Sequence, residues 1–386
     1  MRNVAIIGIG QTPVDEHWGT SLRALAAKAV LSALDDANLP GVEALYVGNM
    51  LSGILTSQEN LGALIAETCG MPGIEAVKVE AACGSAAAAF RQAVLAVASG
   101  AVDSATAVGV EKLTEMSGTA TTFGLATASD SDYEAAMGLS FVAINALLMR
   151  RYMHEYGWRK EDFAPFVMNA HRNAAHNPNA MFRKPITAEQ YAQAKVVADP
   201  INLLDSSPIG DGAAAVVVVA EEHLSRYGGR PVAVRACEIG TDNIALDNRK
   251  DPLWLEGVER STLKAFRSAG VRHQDIDFFE LHDAFSIMTA LSLEASGFAE
   301  KGRALKLANE AYFGIGGKMP LMTFGGLKGR GHPVGATGVY QIVEACLQLR
   351  DQAPAAIHVS GARRAMTQNI GGSGANVVTT ILERMG

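Results

Sequence analysis

Cysteine is scarce, long apolar runs are missing, and no stretch concentrates charge of one sign. The four cysteines, Cys69, Cys83, Cys237 and Cys346, stand far apart with no C-x-x-C pair, a pattern that argues against a disulfide framework or a zinc site and for a reducing compartment. The longest purely apolar run, Ala213 to Ala220, falls well short of the roughly 20 residues a membrane-spanning helix needs. The first residues enter an apolar strand, Val4 to Ile7, without a charged-then-apolar leader, and the tail Glu383-Arg384-Met385-Gly386 carries no peroxisomal address. A net charge of −7 without a basic block argues against a nucleic-acid binder and obliges an anionic substrate to find a local basic patch. The expectation is a cytoplasmic protein with no membrane, nucleic-acid or metal partner. What the chain does have, 48% hydrophobic and 19% charged residues over 386 positions, suffices for two core-forming domains.

Those domains read as two copies of one plan. In the first, Val4 to Gly10 is a strand; Gly8-Ile9-Gly10 is followed by Gln11-Thr12-Pro13 and not by a third glycine opening a helix, so it is no dinucleotide fingerprint. Apolar spacing predicts a helix from Ser21 to Ala37, then strands at Ala44 to Val47, Ile74 to Val79 and Ala105 to Val110. The second half repeats the order: a strand at Val232 to Ala236, a helix at Arg260 to Ala269, a strand at Asp277 to Leu281, a helix at Val339 to Leu349 and a strand at Ala355 to Val359. The closing strands also correspond, Val216 to Val219 after Asp211-Gly212 and Val377 to Leu382 after Ser373-Gly374. This predicts a duplicated α/β fold with mostly parallel, buried sheets, halves 1–225 and 226–386. Unequal spacing places an insertion of roughly 85 to 90 residues in the first half, from about Lys112 to Leu204, too long for a bare loop and so a folded subdomain. Its polar and basic residues, His171, Arg172, His176, Arg183 and Lys184, read either as a solvated face or as a phosphate-gripping lid.

The plan turns on Val79-Glu80-Ala81-Ala82-Cys83-Gly84-Ser85, followed by alanines 86 to 89. A strand runs into a cysteine at the start of a helix, where unpaired N–H groups and the helix dipole favour a thiolate below the ordinary value of about 8.5. The plainer alternative is a small buried residue at a strand–helix junction. His332 opens the equivalent helix of the second half, and His282 follows a strand. In such folds strand C-termini and helix N-termini converge on the ligand, so the three are expected to meet.

Ala82-Cys83-Gly84-Ser85, the 206–213 run Ser-Ser-Pro-Ile-Gly-Asp-Gly-Ala, His282-Asp283-Ala284-Phe285, the 331–338 run Gly-His-Pro-Val-Gly-Ala-Thr-Gly, and the 369–374 run Asn-Ile-Gly-Gly-Ser-Gly together resemble the thiolase superfamily over nearly the whole chain. The resemblance implies a five-layer αβαβα sandwich with a loop subdomain inserted in the first half. It implies that Cys83 takes an acyl group from coenzyme A, that His332 is its base, and that His282 helps hold the thioester oxygen; two imidazole N–H groups suit an enolate oxygen. It further implies that the N–H groups of Cys83 and Gly371 form a second oxyanion hole, that Ser207 meets the pantetheine arm, and that Met137-Gly138 lines the same channel. Coenzyme A thioesters enter as substrates, with no separate cofactor, and homodimers are the family's building unit.

Two positions depart from the better-known members. The second cysteine of the C-terminal glycine-rich motif is Asn369 here, and the cysteine that sterol-carrier-type thiolases place in the His-Asp-Cys-Phe motif is Ala284. One cysteine and two histidines resemble the archaeal and sterol-carrier-like branch, whose members typically work with a small partner built from a zinc ribbon and an OB-fold. Thiolase chemistry leads the readings. A decarboxylating condensing enzyme, which needs no α-proton base, stands next; a retro-aldolase and a non-catalytic thiolase-like subunit follow, both disfavoured by the presence of Cys83 with His332.

Overall fold

In a computed structural model describing residues 1–228 and 230–385, the first half runs β1 (Val4–Gln11), α1 (Leu22–Ala37), β2 (Ala44–Gly48), α2 (Ser52–Leu55), α3 (Leu61–Thr68), β3 (Glu75–Val79), α4 (Ser85–Ser99), β4 (Ser104–Glu111). Then comes the insertion, with α5 (Gly118–Ala126), α6 (Phe141–Tyr156), α7 (Ala164–Ala174), α8 (Ala188–Gln193) and a two-stranded piece, β5 (Val196–Ala198) with β6 (Ile201–Asn202), before β7 (Gly212–Ala220) closes the half. The second half runs β8 (Val232–Thr241), α9 (Glu256–Ala269), β9 (Phe278–Glu280), α10 (Ser286–Ala295), α11 (Ala304–Asn309), α12 (Gly326–Gly329), α13 (Thr337–Leu349), β10 (Arg364–Gly371), β11 (Asn376–Arg384).

Nine strands pair in the order β3-β2-β4-β7-β1-β8-β11-β10-β9. β1 pairs with β8 antiparallel, joining the halves edge to edge. The expected duplication is visible in the pairing: β4 lies parallel to β2 and antiparallel to β7, as β10 lies parallel to β9 and antiparallel to β11. The sheet is mixed and not mostly parallel, because each half closes with antiparallel partners on both sides of its last strand. Between β10 and β11 the chain needs only residues 372–375, whereas between β4 and β7 it inserts the whole helical subdomain.

Layering follows from side-chain alternation. On β7, Ala214, Val216 and Val218 face the central core with α4 and α13, while Ala213, Ala215, Val217 and Val219 face α1. The central core also takes Val4 and Ile6 of β1, Phe278 of β9 and Leu382 of β11, so strands of both halves flank the α4–α13 pair. α1 and α3 cover the first half, α9 and α10 the second, which makes five layers. Ser21 caps α1 by accepting from Ala24 N–H, and Asn38 ends it in the left-handed region at φ 53°.

The strand expected at Ala355 to Val359 is instead a short 3₁₀ turn, Ala355–Ile357, with Ala355 and Ala356 exposed. Its backbone groups find their partners on a side chain: Gln348 donates to Ile357 O and accepts from Val359 N–H. That satisfies the segment without a sheet neighbour. The true counterpart of β4 is β10, whose polar sequence Arg-Ala-Met-Thr-Gln-Asn hides its strand character but is buried from Ala365 onward.

Candidate functional site

Cys83 sits on a tight turn between β3 and α4, one residue before Gly84, which precedes the first helical residue. Ala82 takes φ 50°, a left-handed conformation costly for a residue with a Cβ. Ser85 holds the turn: its hydroxyl donates to Ala82 O at 2.6 Å and accepts from Ala81 N–H at 2.9 Å. The backbone N–H dipoles of Cys83 and Gly372 act on the sulfur, each favouring its charged form.

His282 follows β9, and His332 precedes the 3₁₀ turn that leads into α13. Residues 206–209 run between these two loops: Ser207 N–H donates to Ala284 O at 2.9 Å, and Ile209 bridges to His332. The two imidazoles stand edge to face, ring centres 5.1 Å apart. With Cys83, Ser207 and Gly372 they line one cavity of about 500 Å³, otherwise walled mostly by apolar side chains such as Leu125, Phe141, Phe285 and Met288, with Thr122, Ser140 and Ser206 among them. All three reactive side chains are buried, Cys83 and His332 at 6% exposure and His282 at 2%.

Burial overrides the helix start as the control on protonation. It pushes the Cys83 thiol up to about 12, helped by the charge of Glu111, against the pull of the two N–H groups. The expected low-pKa thiolate is therefore corrected: the free site holds a neutral thiol. Burial likewise drives His332 well below its ordinary 6.5 and His282 down to about 3, with the Arg330 cation adding to both. Arg330 is fully buried, 3.1 Å from Glu344 and stacked over Tyr340. All three shifts favour the uncharged form of their groups.

Each imidazole is oriented from behind. His332 Nδ1 lies 2.6 Å from Thr337 Oγ1, and His282 Nδ1 lies 3.1 Å from Asn369 Nδ2. Glu111, at the end of β4, accepts from Met50, Leu51 and Gly335 N–H and from Asn49 Nδ2, tying the loop after β2 to the approach of α13. Asp211 does the same for the base of the insertion, accepting from Leu113 and Thr114 N–H and from Lys112 Nζ.

The remaining expected residues lie elsewhere. Gly371 ends β10, packed so closely under Ala81 O that a Cβ there would come within 2.2 Å; Gly372, one residue on, lines the cavity. Met137 is 73% exposed and outside the cavity lining, because the segment from Asp130 to Leu139 turns outward and it is Ser140, Phe141 and Val142 that reach the cavity. Arg183 and Lys184 are exposed and also outside the lining, on the segment whose Met181 and Phe182 N–H groups bond to Arg330 and Gly329 carbonyls. Sequence reasoning missed Ser85, Glu111, Thr337 and Gly372. Ser85, Thr337 and Gly372 stand inside the motif runs quoted above, Thr337 five residues from His332, whereas Glu111 stands in none. Among the described residues no cluster of His, Cys, Asp and Glu could hold a metal ion.

Comparison with known proteins covers the same span. Residues 4–222 match the family described as "Thiolase, N-terminal domain", and residues 239–384 the one described as "Thiolase C-terminal domain-like". The chain is 41% identical to an acetyl-CoA acetyltransferase of Methanothermobacter thermautotrophicus over 100% of both chains. It is 30% identical to sterol carrier protein 2 of Gallus gallus, over 98% of this chain and 71% of that one. A solved structure described as "Ltp2-ChsH2(DUF35) aldolase" superposes with a TM-score of 0.85 at 25% identity, covering 99% of this chain and 98% of the other.

Proposed function

This chain belongs to the thiolase family and is an acyltransferase, and on that premise we propose that it condenses two acyl-CoA molecules, or cleaves a 3-ketoacyl-CoA by thiolysis, through an acyl-Cys83 intermediate. The observation that carries the reading is the meeting of Cys83, His282 and His332 in one apolar cavity.

A buried neutral thiol needs a neutral base beside it, and burial keeps His332 in that form. His332 Nε2 takes the Sγ proton as the sulfur attacks the thioester carbon. The bond from that carbon to the coenzyme A sulfur breaks, and the departing thiolate takes the proton back from His332. In the second half, the α-proton of another acyl-CoA passes to an imidazole while the freed electron pair attacks the acyl carbon on Cys83. The Cys83 carbon–sulfur bond breaks, Sγ recovers the proton, and 3-ketoacyl-CoA leaves. His282 donates to the enolate oxygen, and the N–H groups of Cys83 and Gly372 to the acyl-enzyme oxygen, in a cavity that strengthens each bond by excluding water.

A small partner protein is part of the reading, supported by the neighbour described as an aldolase joined to a DUF35 protein. Phe123, Tyr133 and Met137, all more than two-thirds exposed, form the surface it would cover. Phe123 shares a surface groove with Thr122 and Ser140, which also line the cavity.

The test is the intact mass of the protein after acetyl-CoA. One acetyl group is expected on the unaltered chain and none on Cys83→Ala. An acetyl group that persists in Cys83→Ala sinks the acyl-cysteine route. Turnover that requires malonyl-CoA and releases carbon dioxide replaces thiolase chemistry with decarboxylating condensation.

A further inference from the structure

The second carbon-centred step needs a base for the α-proton, and two imidazoles border the reacting space. We infer that Asn369 is a positioning residue that sets the tautomer of His282, making His282 a hydrogen-bond donor only and leaving removal of the α-proton to His332. This deepens the thiolase reading and rests on it.

Asn369 lies near the end of β10, in register with Val378 of β11, and is almost fully buried. Its amide nitrogen is 3.1 Å from His282 Nδ1. An amide nitrogen can only donate, so Nδ1 must present its lone pair, and the single proton of the neutral ring then sits on Nε2. Asn369 Oδ1, on the other side, has no hydrogen-bond partner and faces Gly338, where a Cβ would meet it at 2.5 Å. Turning the amide over would set its N–H groups against that same backbone, exchanging one unpaired acceptor for unpaired donors.

His332 is tied in the opposite sense. Its Nδ1 is 2.6 Å from Thr337 Oγ1, and the Thr337 hydroxyl has Pro333 O to donate to at 3.4 Å. The hydroxyl oxygen then accepts from Nδ1–H and leaves Nε2 bare. Two rings 5.1 Å apart therefore show a donor and an acceptor to one cavity. The charged groups facing them are Arg330 and Lys328; Asp283 is turned away, accepting from Leu327 N–H and paired with Lys328. Both cations disfavour a second proton on His282, so it stays a one-proton ring and its tautomer decides its role. In the step itself, the α-carbon–hydrogen bond breaks toward His332 Nε2, the electron pair forms the new carbon–carbon bond, and the proton returns to Cys83 Sγ as its thioester bond breaks.

Long-range ¹H–¹⁵N spectra of the full chain labelled with ¹⁵N-histidine, without substrate and with His282→Ala for assignment, read the tautomer. The expected result is a protonated Nε2 and a bare Nδ1 on His282; a proton on Nδ1 overturns the inference. The second arm is Asn369→Asp. A carboxylate accepts where the amide donated, so the proton moves to Nδ1 and Nε2 loses its hydrogen. Exchange of the acetyl-CoA α-hydrogens in deuterium oxide should fall on the order of 10²-fold near neutrality. It should recover as pH is lowered, because the imidazolium carries hydrogen on both nitrogens and the carboxylate favours that form. Acetyl-Cys83 should still form. An Asn369→Asp enzyme that keeps the original pH profile, merely scaled down, reduces Asn369 to a packing residue. The two hypotheses fail separately: without acetyl-Cys83 in the unaltered chain the thiolase reading falls, while the resting tautomer is still read.

Discussion

Cys83 shows how a position visible in sequence can have its chemistry reversed by its surroundings. Helix-start geometry stabilises a thiolate by about 1 kcal/mol or less at an exposed site, whereas burial penalises the charged form by several times that. The net result is a thiol pushed up to about 12, no lower than the half-buried Cys237 and the buried Cys346. Access, and the imidazole of His332, must supply the reactivity. Iodoacetamide is therefore expected to label Cys83 ahead of Cys237 and Cys346, since it alone of the four cysteines lines the cavity. A raised thiol pKa leaves less thiolate at neutral pH, so the labelling rate should climb through the alkaline range without levelling off. A plateau between about pH 5 and 7 would reveal a standing thiolate–imidazolium pair and contradict the neutral resting state. Cys83, His282 and His332 were legible as motifs because each lies in a run of local signals. The Asn369–His282 bond joins residues 87 positions apart, and no local pattern encodes such a distance.

At the scale of elements, the alanine run of α4 and the glycines of β2 and β4 have one explanation, which is close approach. A Cβ at Gly109 in β4 would come within 2.6 Å of Ala336 Cα and 2.7 Å of Ala86 Cβ, and one at Gly48 in β2 within 2.3 Å of Ala86 Cα. The start of α4 and the approach to α13 lie directly on the strands, which is how Cys83 and His332 are brought to one end of the central layer. Gly109→Ala, although a single methyl, meets backbone that cannot swing aside. It should destabilise the fold by about 1–3 kcal/mol or more, read as a lower denaturation midpoint with an unchanged slope. A midpoint equal to that of the unaltered chain would mean that the helices are not seated this closely. Helices, and strands with dense β-branched sequence, could be read from spacing alone. β10 could not, since its polar residues Thr367, Gln368 and Asn369 are buried by partners from other elements: Gln368 donates to Thr262, Ser296 and Thr379.

For the whole molecule, the acidic balance sets a problem for an anionic substrate. The insertion carries Arg183 and Lys184 on an exposed segment anchored beside the loop of His332, close to Gly210 and the Ile209 edge of the cavity. If this segment steers the nucleotide end of coenzyme A, replacing both with Glu should raise KM for acyl-CoA at low salt. The difference should shrink as salt shortens the Debye length from about 10 Å at 0.1 M. An unchanged KM at low salt moves the phosphate site elsewhere. From the amino-acid order one could read the duplication, the place of the insertion and the three side chains that meet in the cavity, because hydrophobic period and motif spacing are local quantities carried along the chain. Only the folded chain shows the burial that shifts Cys83, His282 and His332 toward their uncharged forms, and the contacts of Asn369 with His282 and of Thr337 with His332. These depend on desolvation and on contacts between residues distant in sequence, and both arise only when the two halves close on the central helices.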